Sequence, residues 1–260
     1  MSDPVSRTIL LLDIEKYSAR DDVEQAYLRR MLYGITDRAL ESAGIDKTVR
    51  LRADRGDSVM ELIDAGASVI ALLRALLTEV PVQLRAVNRT ASTSAQIRLR
   101  AVLATGYVAV DELDGWVGSD LNLACRLLDG DPLRAALRER SDDFALCVSE
   151  SVHRGIIQHD YPGVPADSFH AITVPSKNGP LLAWLHGRVP EHVGRQHDAD
   201  SPAQEPRRPS REPSPVTFLG GSPSFGGSFV NGDQHGVSGG TVNGDVHLGG
   251  GGAGGKGDRG

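Results

Sequence analysis

Over its first 190 positions the chain alternates short solid apolar runs with longer stretches whose apolar residues recur at helical spacing. Thr8–Ile14 (TILLLDI) has the length and composition of a buried strand. Acidic residues lead Asp22–Ala43, where Tyr27, Leu28, Met31, Leu32 and Ile35 return on one face before Gly44, which predicts a helix. Thr48–Arg52 and Val59–Ile63 read as two strands around Arg55-Gly56-Asp57, a hairpin whose tip presents Asp57 and whose turn Gly56 permits. Ala65–Glu79 predicts a strongly apolar helix packed on a sheet. Ile97–Val110 returns to strand character as a hairpin or a pair of strands, with Gly106 marking a bulge or bend. A helix then starts within Gly115–Asp129, followed by a short helical piece at Pro132–Arg140, a strand at Phe144–Ser149 and a helix at Glu150–Ile157. Phe169–Val174 and Leu181–Leu185 form a last strand pair. This order predicts an α+β domain with helices packed on a mostly antiparallel sheet.

The pattern stops near Glu191. Residues 191–216 are rich in Pro, Arg and Ser and read as a disordered linker between a domain at 1–190 and a Gly-rich tail at 217–260. The tail repeats itself: Val230-Asn231-Gly232-Asp233 returns as Val242-Asn243-Gly244-Asp245, each followed two positions on by a histidine. A flexible Gly-rich tail would account for this composition. So would a stacked β-arch, which needs β-branched residues, Asn-Gly turns and a short period.

Composition narrows the function classes. At 260 residues there is room for one sizeable domain and an appendage. The net charge of −6, with no dense Lys/Arg block before the linker, argues against a nucleic-acid partner. No stretch approaches the roughly eighteen apolar residues of a membrane span, and the N-terminal apolar run is cut by Asp13. Cys125 and Cys147 sit in apolar contexts as reduced residues without a disulfide framework. A cytoplasmic protein is expected. His153, His159, His170 and His186 show no metal-ligand spacing.

Two places suggest chemistry. Asn122 and Arg126 are four apart, hence one turn apart on the same face of the predicted helix, where an amide and a permanent cation suit an anion beside a sugar. Asp13 closes an apolar strand, a costly position unless the carboxylate is paired, bound to metal or already in solvent.

Together these residues resemble the catalytic domain of class III nucleotide cyclases over roughly Arg7–Val189. Leu12-Asp13-Ile14-Glu15-Lys16-Tyr17-Ser18 is similar to that family's first strand end, Gly56-Asp57 to its hairpin tip, and Gly118, Asn122 and Arg126 to its glycine, asparagine and arginine before and on the transition-state helix. The resemblance implies a ferredoxin-like, mostly antiparallel sheet with helices on it. It also implies a phosphorus–oxygen lyase that converts a nucleoside triphosphate to a 3′,5′-cyclic nucleotide and pyrophosphate. Asp13, Asp57 and the carbonyl of Ile14 would hold Mg²⁺ or Mn²⁺, two per site. Arg126 would stabilise charge on the α-phosphate, Asn122 would position the ribose, and a homodimer would share two active sites.

One part of the family pattern is missing. The base is read three residues before each glycine, at positions that here hold Ala53 before Gly56 and Gly115 before Gly118. Adenylate cyclases usually carry Lys and Asp there, and guanylate cyclases Glu with a small residue. Either the base is read by a neighbour such as Arg52, Arg55, Asp54 or Asp114, or the substrate is a pyrimidine nucleotide, or the domain binds nucleotide without cyclising it. The last case would make the chain a signalling adaptor. Residues 229–248 also resemble bacterial amyloid-signalling motifs akin to RIP homotypic interaction motifs, which implies an effector protein as partner.

Overall fold

The computed structural model describes residues 3–113, 115–177 and 179–190, and in the tail 229–230 and 236–237. Strand β1 (Val5–Ile14) is apolar on both sides: Leu10, Leu12 and Ile14 are buried on one face, Ile9 and Leu11 on the other. A strand of that kind must lie inside a sheet covered on both faces. It pairs antiparallel with β3 (Ser58–Asp64) on one side and β4 (Leu99–Val110) on the other. With β2 (Arg50–Asp54), β6 (Phe144–Ser149), β7 (Phe169–Val174) and β8 (Leu181–His186), the strand order is β2-β3-β1-β4-β6-β8-β7. A short β5 (Trp116–Val117) pairs onto the end of β4. Among the described residues β4 and β6 run parallel and the other pairs antiparallel.

Helices α1 (Asp22–Ser42), α2 (Val69–Asn88) and α5 (Glu150–Gly155) pack their apolar residues with one face of the sheet. Helices α3 (Ser119–Asp129) and α4 (Asp131–Glu139) cover the other and make the crossover between β4 and β6. Asp21 starts α1 with a capping box: its carboxylate accepts the Glu24 amide at 2.8 Å, and the Glu24 side chain accepts the Asp21 amide. Ser68 caps α2 in the same position.

Three expectations are corrected. Ile97–Val110 holds one strand rather than a hairpin, and Gly106 is no bulge, because it pairs in register with Arg7. Helix α2 does not end before Pro81 but runs through it to Asn88. Proline removes one backbone hydrogen bond, yet Leu76, Val80 and Leu84 continue one buried stripe across it, and that burial outweighs the lost bond. The last helix stops at Gly155, and Ile157–His159 forms a 3₁₀ turn.

Met1–Ser201 forms one unit and Pro202–Gly260 another. In the second, β9 (Phe229–Val230) pairs antiparallel with β10 (Gly236–Val237). Asn231, Gly232, Val242, Asn243 and Gly244 lie outside the described residues. No helix among the described residues is long and apolar enough to cross a membrane.

A charged seam fastens the β2–β3 hairpin to α1. Glu61 of β3 is 0% exposed, and Arg50 and Arg52 of β2 both donate to it, Arg50 at 2.8 Å. The same two guanidiniums reach Asp37 of α1 at 2.8 and 2.6 Å, and Arg52 lies over the Tyr33 ring, 4.9 Å from its centroid. Burial pushes the Glu61 carboxyl above its usual range while the two arginines pull it back. Removing one partner from a buried pair strands the other charge. Glu61→Ala is therefore expected to destabilise the domain by about 3 kcal/mol or more, read from urea denaturation. A loss within the noise of a surface substitution would show that Asp37 alone satisfies the arginines.

Candidate active site

Three strands bring the site's first group together. Asp13 sits next to the end of β1, opposite Ser58 of β3 and Arg100 of β4. The Ile14 amide donates to the Asp57 carbonyl at 3.0 Å, which fixes the hairpin tip against the strand end. The tip turns through Gly56 at φ +86°, a left-handed conformation that glycine adopts without steric cost, and the Gly56 amide donates to Asp54 at 2.8 Å. Asp13 and Asp57 are thereby neighbours, with Asp13 buried at 8% exposure and Asp57 half-buried.

Arg100 completes this group, and reading the sequence missed it. Its guanidinium donates to Asp13 Oδ2 as an ion pair. The signal was present: Leu99, Ala101 and Leu103 face the α1–α2 side, so period-two alternation turns Arg100 to the α3 side, where Asp13 also points. Burial pushes the Asp13 carboxyl up to about 6; Arg100 opposes this, while the charges of Asp57 and Asp129 add to it. A carboxylate so placed is stabilised by added positive charge.

Helix α3 carries the second group. Asp120, in its first turn, accepts the Tyr107 amide of β4 at 2.8 Å and fills the space that Gly106 leaves without a side chain. Gly118 stands before the helix, where an added Cβ would lie 2.5 Å from the Tyr107 carbonyl oxygen. Leu121, Ala124 and Leu127 are buried, which turns Asn122 and Arg126 outward, both exposed on one face. Among the described residues no hydrogen bond or ion pair joins Asn122 or Arg126 to Asp13 or Asp57. The end of α3 nonetheless approaches the first group, since the charge of Asp129 acts on Asp13.

The remaining positions divide by sheet face. Ala53 packs against the α3-side core, as does half-buried Trp116. Its neighbours Arg52 and Asp54 point the other way: Arg52 is engaged by Glu61 and Asp37, and Asp54 pairs with Arg29 of α1. Arg55 lies close enough to α3 that its charge acts on Cys125, whose thiol burial pushes up. Asp114 lies outside the described residues.

Among the described residues no cluster of three or more His, Cys, Asp or Glu is placed to hold a metal ion. The donor set is a pair of carboxylates, Asp13 and Asp57, beside the Ile14 backbone. That is the set Mg²⁺ takes when substrate phosphates supply its other ligands, so the residues fit a substrate-assisted site.

Because the Gly118 contact is with backbone, the neighbour cannot swing aside. Gly118→Ala is expected to push α3 off β4 and cost about 1–3 kcal/mol, while Ser119→Ala stays within about 0.5 kcal/mol. Equal denaturation midpoints for the two variants would show that the helix start is not tightly seated.

No protein-family model matches the chain, and no curated protein matches it. Solved structures do. The guanylyl cyclase Cya2 matches at a TM-score of 0.50 and 18% identity, over 73% of this chain and 95% of that one. A bacterial light-regulated adenylyl cyclase matches at 0.50 and 17%, over 75% and 99%. An adenylate/guanylate cyclase/hydrolase from Silicibacter pomeroyi matches at 0.50 and 20%, over 72% and 98%. Likeness at these identities concerns the fold, and the fold of this chain is that of the class III nucleotide cyclases.

Proposed function

We propose that the chain is a nucleotide cyclase acting as a homodimer on a nucleoside triphosphate. The observation that carries this reading is the pairing of buried Asp13 with Asp57 beside Arg100, together with Asn122 and Arg126 presented outward on α3. In the reaction the ribose 3′ hydroxyl gives up its proton, its oxygen bonds to the α-phosphorus, and pyrophosphate leaves. Asp13 and Asp57, with the Ile14 carbonyl, would hold Mg²⁺ or Mn²⁺, two per site; bound there, the ions would acidify the hydroxyl and neutralise phosphate charge. Arg100, already beside Asp13, is placed to receive the polyphosphate once it enters. Asn122 positions the ribose, and Arg126 stabilises charge on the α-phosphate. Ala53, Gly56, Gly115 and Gly118 form the backbone and floor around the nucleotide. Among the described residues no hydrogen bond or ion pair joins the two groups, and Asn122 and Arg126 are exposed, which favours completion of each site by the partner's α3. The three neighbours of like fold are named as adenylyl or guanylyl cyclases, which supports the same chemistry.

The test incubates the full chain with ATP, GTP, CTP and UTP in Mg²⁺ and then Mn²⁺, with products resolved by mass. A cyclic nucleotide that disappears in Asp57→Ala is expected. Asp57→Ala and Arg126→Ala should each be inactive, and mixing them should restore roughly a quarter of wild-type activity, since half the dimers then carry one intact site of two. Activity that stays absent in the mixture would count against shared sites. Nucleotide binding without turnover would favour the adaptor reading, which Ala53, with no polar side chain at its base-reading position, supports.

The tail extends this reading. Residues 229–248 would assemble with a matching motif on an effector, so that nucleotide chemistry and recruitment sit on one chain. Truncation after Val216 is expected to abolish fibril formation by the purified protein. Fibrils that form equally well without the tail would sink the idea.

A further inference from the structure

A cleft of about 420 Å³ opens between α2, the loop from α4 to β6 and the end of β8. Small-molecule sites hold roughly 300–1,000 Å³, so the cleft is large enough for a ligand of modest size. Leu77, Pro81 and Leu84 follow one another at one-turn spacing along α2 and, with Phe144 at the start of β6, give the cleft an apolar wall. The opposite wall is cationic. Arg140 donates from Nε to the Ala136 carbonyl at 3.0 Å, and from its terminal nitrogens to the carbonyls of Phe144 at 3.1 Å and His186 at 3.0 Å. These partners are neutral, and among the described residues Arg140 forms no ion pair. Burial pushes the Arg140 guanidinium below its usual range; the charge of Asp142 opposes this, and that of Arg98 adds to it.

The rest of the lining leaves the cleft electropositive. Arg85 stands exposed beside Leu84, and among the described residues its side chain has no partner. Of the two acids, Asp143 is taken up by Asn88 at 2.8 Å and Arg98 at 3.5 Å, which leaves Asp142 to face Arg85 and Arg140. Burial and then the Arg140 charge hold the His186 imidazole below its usual range, so it stays neutral at pH 7. We propose that this cleft binds a small organic anion, one carboxylate on an apolar body. A guanidinium held out of water among neutral carbonyls is stabilised by an anion brought beside it. Covering half-buried Leu77 and Pro81 contributes about 25 cal/mol per Å², which only a ligand with apolar surface can supply. Asp142 repels a more highly charged ligand, which sets this site apart from one for a nucleoside triphosphate. The inference stands independently of the cyclase reading, since Asp13, Asp57, Arg100, Asn122 and Arg126 do not line the cleft.

The full chain is dialysed to equilibrium against labelled octanoate, with octanol and inorganic phosphate as competitors. Octanol carries the body without the charge, and phosphate the charge without the body. One octanoate per chain is expected, displaced at least about 10-fold less well by either competitor than by unlabelled octanoate. Arg85→Glu should weaken octanoate binding by about 10-fold or more, and Arg85→Gln, which removes the charge without reversing it, should fall between. Arg30→Glu makes the same charge change on the exposed surface of α1 and should leave binding within about twofold. No saturable uptake of octanoate at millimolar concentration overturns the proposal. So does uptake that both Arg85 variants leave unchanged, or displacement by octanol or phosphate as effective as by octanoate.

Discussion

The register of β1 between β3 and β4 is the constraint on which the rest of the molecule depends. It sets Asp13 opposite Ser58 and Arg100 and lets the Ile14 amide reach the Asp57 carbonyl. Side chains alternate faces along a strand, so a slip of one residue would send Asp13 into the α1–α2 core and Leu12 into the site. Apolar burial alone does not forbid that slip, since Leu10, Leu12 and Ile14 on one face and Ile9 and Leu11 on the other are all buried; what opposes it is that Asp13 would lose Arg100 and enter an apolar core. The ion pair thus helps to set the register, and Arg100 offsets part of the cost of burying the Asp13 carboxylate.

The two faces of the sheet divide the remaining work. On the α1 side, Glu61, Arg50, Arg52 and Asp37 lock the hairpin that carries Asp57, at the expense of keeping ionised groups in the interior. Such a seam adds little net stability relative to an apolar packing, but it holds a protruding hairpin in one orientation. On the α3 side, the Asp120–Tyr107 bond and the close approach at Gly118 seat the helix that presents Asn122 and Arg126. The hairpin tip stands at the Asp13 end of β1, whereas the start of α3 is seated at the Ser6 end, where Tyr107 pairs, so one strand holds both groups in place.

By itself the sequence determined a good deal. Solid apolar runs marked β1 and β6 to within a few residues, because a strand buried on both faces has few other readings, and the β7–β8 pair was placed as closely. Capping signals bounded α1. The fold class was legible, and so were the residue types on which the cyclase reading rests, since spacing along one helix or one hairpin is a local property. The helix through Pro81 and the single strand at Leu99–Val110 were not legible, because burial contributed by distant elements overrode the local breakers.

Tertiary structure alone decided which polar residues share a face. Arg52 and Asp54 flank Ala53 in the chain, yet strand alternation turns them to α1 and away from the α3 side. Arg100 stands eighty-seven positions from Asp13 and meets it only because β4 pairs with β1. Sequence spacing reports neighbours within one element, whereas charges that act on one ligand are assembled across elements by backbone pairing and packing, and no local pattern encodes that assembly.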